Sequence, residues 1–426
     1  MKKYIYIMLL FIIFCLPCFS LSSCKKQESN KKEKVRLEFY NRKREAYAVL
    51  EKIIQKFNES QDEIEVFQNM NTNADTALRI AAVEGEFPDI VELGGLQSVE
   101  TFEYVMGNCL VPLDEMACTK QIKGEYLPYL TYNSHIYQMP LAMSFEGIYV
   151  NRTLFQEEGL ALPETYEDLC QVSEEILRRG KVPFLFADKE GWTIHQNWEC
   201  IEGASRGNFE KFWTDVAEGR TSFTEDEVCR RSLEKLIDLH KYTTEEFSDL
   251  NYNEALAKFA EGEAFMLIQG SWAYRNIMDM NPEMNLELIP FPVEKGQQQL
   301  VTMWIDSSIG ISSDCKYRKE AEKFVEFLMQ PENLQIYLNA ESSLSSLKNS
   351  QNRAKYAPRI HELLESGHAV MDASWLPLQT SVIRDIDIQE LMPDADQAEI
   401  EAYLDKYTKS LQKHKDLYLE AKEKRQ

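Results

Sequence analysis

The chain has 426 residues, with 70 Asp and Glu against 47 Lys and Arg, giving a formal net charge of −23. The acids are spread along the chain, so it offers no clustered basic face of the kind nucleic acid requires, and the charge speaks for solubility rather than for any one ligand. Roughly 400 residues remain once the N-terminal segment is set aside, more than one hydrophobic core usually supports, so two lobes are expected, and these need not be contiguous in sequence.

Lys2 and Lys3 precede an uncharged run from Tyr4 to Cys18, followed by Leu21-Ser22-Ser23-Cys24. A basic start, an apolar stretch and small residues before a cut describe a secretory signal over residues 1–23, too short for a comfortable span of roughly 20 apolar residues. The last four residues resemble the bacterial lipobox, which implies that Cys24 is lipidated, begins the mature chain and holds it to the membrane outside the cytoplasm. Residues 25–34 carry no apolar side chain, so 24–34 is expected to be a flexible tether. Beyond the leader and the anchor lie Cys109, Cys118, Cys170, Cys200, Cys229 and Cys315. An exported chain can pair them, and Cys109 with Cys118 is the only close pair, but wide spacing in a large core suits buried free thiols equally well. No CxxC, HExxH or clustered His suggests a metal, and no Walker motif or dinucleotide fingerprint occurs. No cofactor is expected.

Val35-Arg36-Leu37-Glu38-Phe39-Tyr40 alternates apolar and polar residues and reads as a first strand. Ala46, Val49, Leu50, Ile53, Ile54 and Phe57 then recur with helical spacing, and Glu63-Ile64-Glu65-Val66-Phe67 reads as a second strand. Strand, helix, strand at this spacing predicts a parallel sheet with helices on its faces. A helix from about Ala74 to Glu84 leads to Gly85-Glu86-Phe87-Pro88-Asp89-Ile90-Val91-Glu92-Leu93-Gly94-Gly95. In such sheets ligands collect beyond the carboxyl ends of strands, so the loops Tyr40–Arg44 and Leu93–Leu96 are candidate binding edges. Residues 136–151 hold two extended apolar runs, with Pro140 and Gly147 as expected bends. This segment reads as the passage from one lobe to the other with a hinge at Met143–Gly147, or else as a single core strand with a bulge.

A series of motifs then falls in order: Phe57-Asn58-Glu59-Ser60, Glu84-Gly85-Glu86-Phe87-Pro88-Asp89-Ile90, Leu110-Val111-Pro112-Leu113-Asp114, Tyr137-Gln138-Met139-Pro140 and Ile148-Tyr149-Val150-Asn151. Pro163-Glu164-Thr165-Tyr166-Glu167-Asp168-Leu169 follows, and then an apolar strand running into Gly270-Ser271-Trp272. Ile289-Pro290-Phe291-Pro292, Ser308-Ile309-Gly310-Ile311-Ser312 and a helix from Lys319 to Met329 complete the series. From about 35 to 348 this order resembles the extracellular solute-binding proteins of bacterial ABC transporters, in the group that carries sugars and oligosaccharides. The resemblance implies an α/β, two-lobed periplasmic-binding-protein-like fold, each lobe a mainly parallel sheet flanked by helices, joined by hinge strands. It implies lobe one at 35–143 and 305–345, and lobe two at 144–304 and 346–426. The implied partners are a carbohydrate and the permease subunits of the membrane, with the chain itself a monomer.

Sugars present hydroxyls around apolar C–H faces, so their sites combine flat aromatic rings with carboxylates, amides or Arg. Trp272, just past a strand and a Gly turn, matches the family's sugar-stacking Trp. Trp192 matches a family position near the cleft, and Trp304 and Asp306 lie where the chain would re-enter lobe one. Trp375 sits where some relatives place a further stacking ring. Asn41 and Arg42 after the first strand, and Ser144 and Glu146 at the hinge, are the remaining candidates for hydroxyl contacts. Leu93-Gly94-Gly95-Leu96 departs from relatives that have Trp or Asp there, which leaves the particular sugar open.

Two other readings compete. Gly203-Ala204-Ser205-Arg206-Gly207 is a literal GxSxG, and a hydrolase would need Ser205 on a sharp turn after a buried strand. The preceding His195–Glu202 is too polar for that strand. A subunit presenting its ligand to a membrane receptor kinase is the alternative from another class. The favoured reading is a binding subunit with no catalytic residue.

Overall fold

The computed structural model describes residues 33–71, 73–96, 98–350, 353–371, 386 and 388–424. The leader, Cys24, nearly all of the tether and Trp375 lie outside the described residues. Val35–Tyr40 forms strand β1 and Ile64–Asn69 forms β2, joined by the helix Tyr47–Ser60, which buries Leu50, Ile53, Ile54 and Phe57 as its periodicity predicts. The two strands pair in parallel from Val35 opposite Ile64 to Tyr40 opposite Asn69. The helix Ala74–Glu84 stops at Gly85, whose φ of 70° only glycine adopts without strain. The chain then enters β3 (Ile90–Leu93), parallel to β1 on its other side.

A short hairpin of β4 (Thr131–Tyr132) and β5 (His135–Ile136) precedes β6 (Met139–Asn151), a strand of 13 residues, every one of them buried. The remaining strands are β7 (Phe184–Leu185), β8 (Met266–Gly270), β9 (Leu286–Ile289), β10 (Val301–Ile311) and β11 (Ala369–Met371). They complete a mixed sheet of order β2-β1-β3-β10-β6-β8-β7, with β11 against β10 and β9 against β6. Its β2-β1-β3 end is parallel, and β6 and β10 enter antiparallel. Between Met139 and Phe145, β6 pairs with β10; from Glu146 onward it pairs with β8, and from Ile148 with β9. The change of partner falls inside Met143–Gly147.

Pro140 and Gly147 do not interrupt this strand, which runs unbroken from Met139 to Asn151. Pro140 sits at its second residue, where its carbonyl accepts a hydrogen bond from Ser346 Oγ at 2.8 Å. Gly147 is required by a close approach of another strand, since a Cβ there would lie 2.2 Å from the Ile289 carbonyl oxygen.

The side chains of β6 alternate between two cores. Tyr149 packs with Leu185, Phe259, Leu267 and Leu288 in a cluster that extends to Leu37, Phe39, Ile53 and Phe324 under β1 and β10. Ile148 and Val150 face the opposite way, among Phe184, Trp198, Ile201, Leu233, Ile268 and Tyr407. The helices Tyr166–Arg178, which opens on a Thr165–Asp168 capping box, and Glu227–Leu239 follow the crossing. All six described cysteines are free thiols, Cys118, Cys200, Cys229 and Cys315 among them buried. The close pair Cys109 and Cys118 is not bridged.

Gly147→Ala forces a methyl group against the β9 backbone. The variant should lose about 1–3 kcal/mol of stability, the usual cost of overpacking, read as a lowered denaturant midpoint at unchanged m-value.

Candidate ligand-binding site

The loop after β1 reaches the middle of β10, where Lys43 meets Asp306, and beside them opens a cavity of about 440 Å³ lined by Arg42, Lys43, Glu45, Asp75, Trp192, Trp272, Trp304 and Asp306. Each side chain arrives by a local rule. Trp272 follows β8 and precedes the helix Ala273–Met280. Its ring folds back over Gly270, where a Cβ would lie 1.6 Å from the indole. Gly270 is therefore what permits this placement. The Trp272 and Trp304 rings meet edge to face, centroids 5.1 Å apart at 63°.

Trp192 opens the helix Gly191–Gly203 and is 45% exposed, which is unusual for so large an apolar ring. Its Nε1–H donates to Glu190 Oε2 at 2.7 Å, while Glu190 Oε1 accepts from the Tyr252 N–H at 2.9 Å. The Tyr252 ring lies 5.2 Å away at a tilt of 58°. One carboxylate thus fixes the indole and braces it against a second ring.

Asp306 owes its position to a bulge. The pairing of β10 with β6 goes from Ile305 opposite Met143 directly to Ser307 opposite Ala142, leaving Asp306 as the extra residue. Its carboxylate accepts from Lys43 Nζ at 2.6 Å, and Glu341 holds the same ammonium at 2.7 Å. Burial disfavours the Lys43 charge, but Asp306 and Glu341 outweigh it and hold the pKa well above that of an ordinary lysine. Burial pushes Glu341 up, against the opposing pull of Lys43.

The next residue of the bulge, Ser307, donates from Oγ to Glu92 Oε1 at 2.8 Å, and the Arg42 N–H donates to Glu92 Oε2 at 3.2 Å. Glu92 is fully buried, and burial raises it to about 7 despite Arg42 and Ser307, which favour its charged form. The Arg42 guanidinium reaches Asp75 at 3.4 Å. Burial opposes the Arg42 charge too, and Glu92 and Asp75 more than restore it.

Of the residues selected from sequence, Arg42, Trp192, Trp272, Trp304 and Asp306 come together around this cavity. Asn41 does not line it. The Asn41 side chain is buried, donating to Gln68 Oε1 at 3.0 Å and accepting from the Lys43 N–H at 2.9 Å, so it shapes the loop that presents Arg42 and Lys43. Ser144 and Glu146 are buried on β6, opposite Trp304 and Gly270 respectively. Lys43, Glu45 and Asp75 were not selected. Lys43 belongs to the loop Tyr40–Arg44 already marked as a binding edge, Glu45 lies just beyond it, and a helix starting right after β2 was the available signal for Asp75. Trp198 and Trp213 belong to the second core, the former donating from Nε1 to Ser232 Oγ at 2.8 Å.

Ser205 is not a nucleophile elbow. It follows the helix Gly191–Gly203 and is held at that helix end by its N–H to the Glu202 carbonyl, where an elbow needs a buried strand. His240, downstream of it in the chain, faces Asp188 at 2.8 Å and stacks on Phe186.

A family model described as bacterial extracellular solute-binding protein matches residues 52–361. The chain belongs to that family. It is 28% identical over 334 residues to the multiple sugar-binding protein of Streptococcus mutans, covering 77% of this chain and 79% of that one. It is 21% identical over 295 residues to the melibiose/raffinose/stachyose-binding protein MelE of Bacillus subtilis, covering 66% of each. Among solved structures it is similar to RafE in complex with raffinose, with a TM-score of 0.77 at 22% identity over 89% of this chain and all of that one. A chitin oligosaccharide binding protein follows, with a TM-score of 0.73 at 22% identity over 90% of this chain and 99% of that one. The fold is the two-lobed α/β architecture of these proteins.

Two expectations follow from the charges under the cavity. Lys43→Met leaves Asp306 and Glu341 without their shared cation and should cost about 3–5 kcal/mol, the scale of breaking a buried ion pair, measured by denaturant unfolding at pH 7. Glu92 has a folded pKa of about 7 against an ordinary 4.5, so the folded state holds its proton more tightly than the unfolded chain does. Stability should therefore fall as pH rises from about 4.5 to 7, by up to a few kcal/mol. Glu92→Gln should flatten that part of the stability–pH curve.

Proposed function

We propose that this chain is the extracytoplasmic solute-binding subunit of an ABC importer and captures a carbohydrate, specifically an oligosaccharide, in the cavity beside β10. The observation that carries the reading is the meeting of Trp192, Trp272 and Trp304 with Arg42, Lys43, Asp75 and Asp306 around one cavity. Rings cover the apolar faces of pyranoses, and the charged groups take their hydroxyls. The names of the relatives, which bind multiple sugars, melibiose, raffinose, stachyose and chitin oligosaccharide, point the same way.

On this reading no bond is made or broken by the chain. Lobe one comprises 35–143 and 305–345, and lobe two comprises 144–304 and 346–426. A bound sugar touches Arg42 and Asp306 from the first and Trp192 and Trp272 from the second, so it stabilises the closed arrangement over an open one. The hinge lies where β6 changes partner, near Met143–Gly147, and where β10 passes Trp304. The closed monomer, held to the membrane by lipid on Cys24, then delivers its load to the permease.

The test is intrinsic tryptophan fluorescence of the chain from residue 25, titrated with mono- and oligosaccharides. A saturable change with one sugar class is expected, weakened about tenfold or more in Trp272→Ala, the scale of losing a buried aromatic anchor. No response across the panel by fluorescence and by thermal shift would overturn the carbohydrate reading.

A further inference from the structure

The turn that presents Trp192 is fastened by a histidine that the site does not otherwise use. Ala187 to Glu190 closes on itself, the Glu190 N–H donating to the Ala187 carbonyl at 3.2 Å, and Gly191 then begins the helix that carries Trp192. Asp188 is the second residue of this turn. Its Oδ2 lies 2.8 Å from Nε2 of His240, and its carbonyl accepts from Gln389 Nε2 at 2.7 Å. The Asp188 and His240 side chains are 12% and 1% exposed, and the Phe186 ring stacks on the imidazole with centroids 3.9 Å apart.

His240 caps the helix Glu227–Leu239, and its Nδ1 lies 2.8 Å from the Leu236 carbonyl oxygen. A carbonyl and a carboxylate only accept, so two N–H groups are needed to meet them both, and a neutral imidazole has one. The second proton puts a positive charge on the ring, where the carboxyl end of the helix and the Asp188 carboxylate both favour it. With one proton fewer, either tautomer sets a lone pair against one acceptor and leaves the buried Asp188 charge without its cation. Asp188 Oδ1 already lacks a hydrogen-bond partner among the described residues. The charged and titratable groups around the pair are engaged elsewhere. Lys241 meets Asp238 beside the helix end, Glu174 and Cys170 of the helix Tyr166–Arg178 meet Tyr242, and Lys189 turns to Asp249 and Glu254. Glu390, next to Gln389, meets Lys406. Among the described residues none of them gives Asp188 a second cation.

The geometry points to His240 as a positioning residue of the ligand site: as imidazolium it locks the Asp188 turn, and so sets the Glu190 carboxylate and the Trp192 ring that Glu190 holds. Sugar affinity then depends on this proton, strong where His240 is charged and weaker as pH rises and the proton leaves. This rests on the carbohydrate reading and adds to it a coupling between proton and ligand. Such coupling is reciprocal, so sugar binding draws a proton onto the chain on the alkaline side of the titration.

The chain from residue 25 is titrated with raffinose, stachyose and chitin oligosaccharide between about pH 5 and about pH 9, as the parent, as Asp188→Asn and as His240→Gln. Glu92 ionises in the same interval, so each is also made in a Glu92→Gln background, where the change due to His240 should persist. The parent should bind about fivefold or more weakly at the alkaline end, and both variants should lose that pH dependence and bind about as weakly as the alkaline parent. Calorimetry in buffers of different ionisation enthalpy should show proton uptake on binding by the parent and none by His240→Gln. Heteronuclear NMR of the parent's imidazole nitrogens should find both nitrogens of His240 protonated at the acid end. A purely structural role lowers the melting temperature of the variants and leaves the pH slope of affinity unchanged. That unchanged slope, or a neutral His240 ring at the acid end, would overturn the proposal. Should His240→Gln not fold, Asp188→Asn and the parent's NMR decide alone. A parent that binds none of the sugars overturns the carbohydrate reading and the coupling with it, whereas a parent that binds without pH dependence overturns the coupling alone.

Discussion

The antiparallel pairing of β6 with β10 is the constraint on which the site depends. A strand with all 13 residues buried must satisfy its backbone entirely through neighbours, because water does not reach it. β6 meets that requirement by taking β10 as partner for its first half and β8 and β9 for its second. The same pairings deliver groups that line the cavity: Trp304 and Asp306 ride on β10, and Trp272 follows β8. The loop bearing Arg42 and Lys43 is placed through β1 and β3, of which β3 pairs directly with β10. Disturbing the crossing would displace every wall of the cavity together.

The irregularity inside that pairing matters as much as the pairing. By stepping over Asp306, the sheet turns two consecutive side chains to work, Asp306 toward Lys43 and Ser307 toward Glu92. A regular strand would have sent them to opposite faces. The result is a layer in which Arg42, Lys43 and Asp306 line the cavity and Glu92 and Glu341 back them, in a place where an apolar layer would cost less. Its members hold one another in place, so the loop after β1 is anchored by charge rather than by packing. Glu92 is the strained member, its carboxylate held near neutrality by burial. This layer exchanges stability for a fixed arrangement of polar groups.

Much of this was legible in the chain. The periodicity of Leu50, Ile53, Ile54 and Phe57 gave the first helix, the alternation in Val35–Tyr40 gave the first strand, and Gly-Ser-Trp after an apolar run marked Trp272. These signals are local, so a window of a dozen residues contains them. What escaped depends on distant partners. Gly147 looked like a bend because nothing nearby announces that the Ile289 carbonyl passes over it. Lys43 looked like any solvated loop lysine until Asp306 and Glu341, far along the chain, closed on it. The bulge at Asp306 leaves no compositional mark, since its neighbours Ile305 and Ser307 suit a regular strand equally well. Asn41 lies in the same loop as Arg42 and Lys43, but its amide is taken up by the loop itself, because an amide two residues ahead of a backbone N–H serves a turn as readily as a ligand.

The two kinds of wall around the cavity are fixed by different interactions. Lys43 is held between Asp306 and Glu341 at 2.6 and 2.7 Å, so that part of the charged layer is secured within the protein itself and contributes rigidity. The aromatic wall does not depend on that ion pairing: Trp272 and Trp304 meet ring to ring, and Trp192 is held by the Glu190 carboxylate. Loss of one wall therefore need not dislodge the other, because the contacts that hold them have no partner in common.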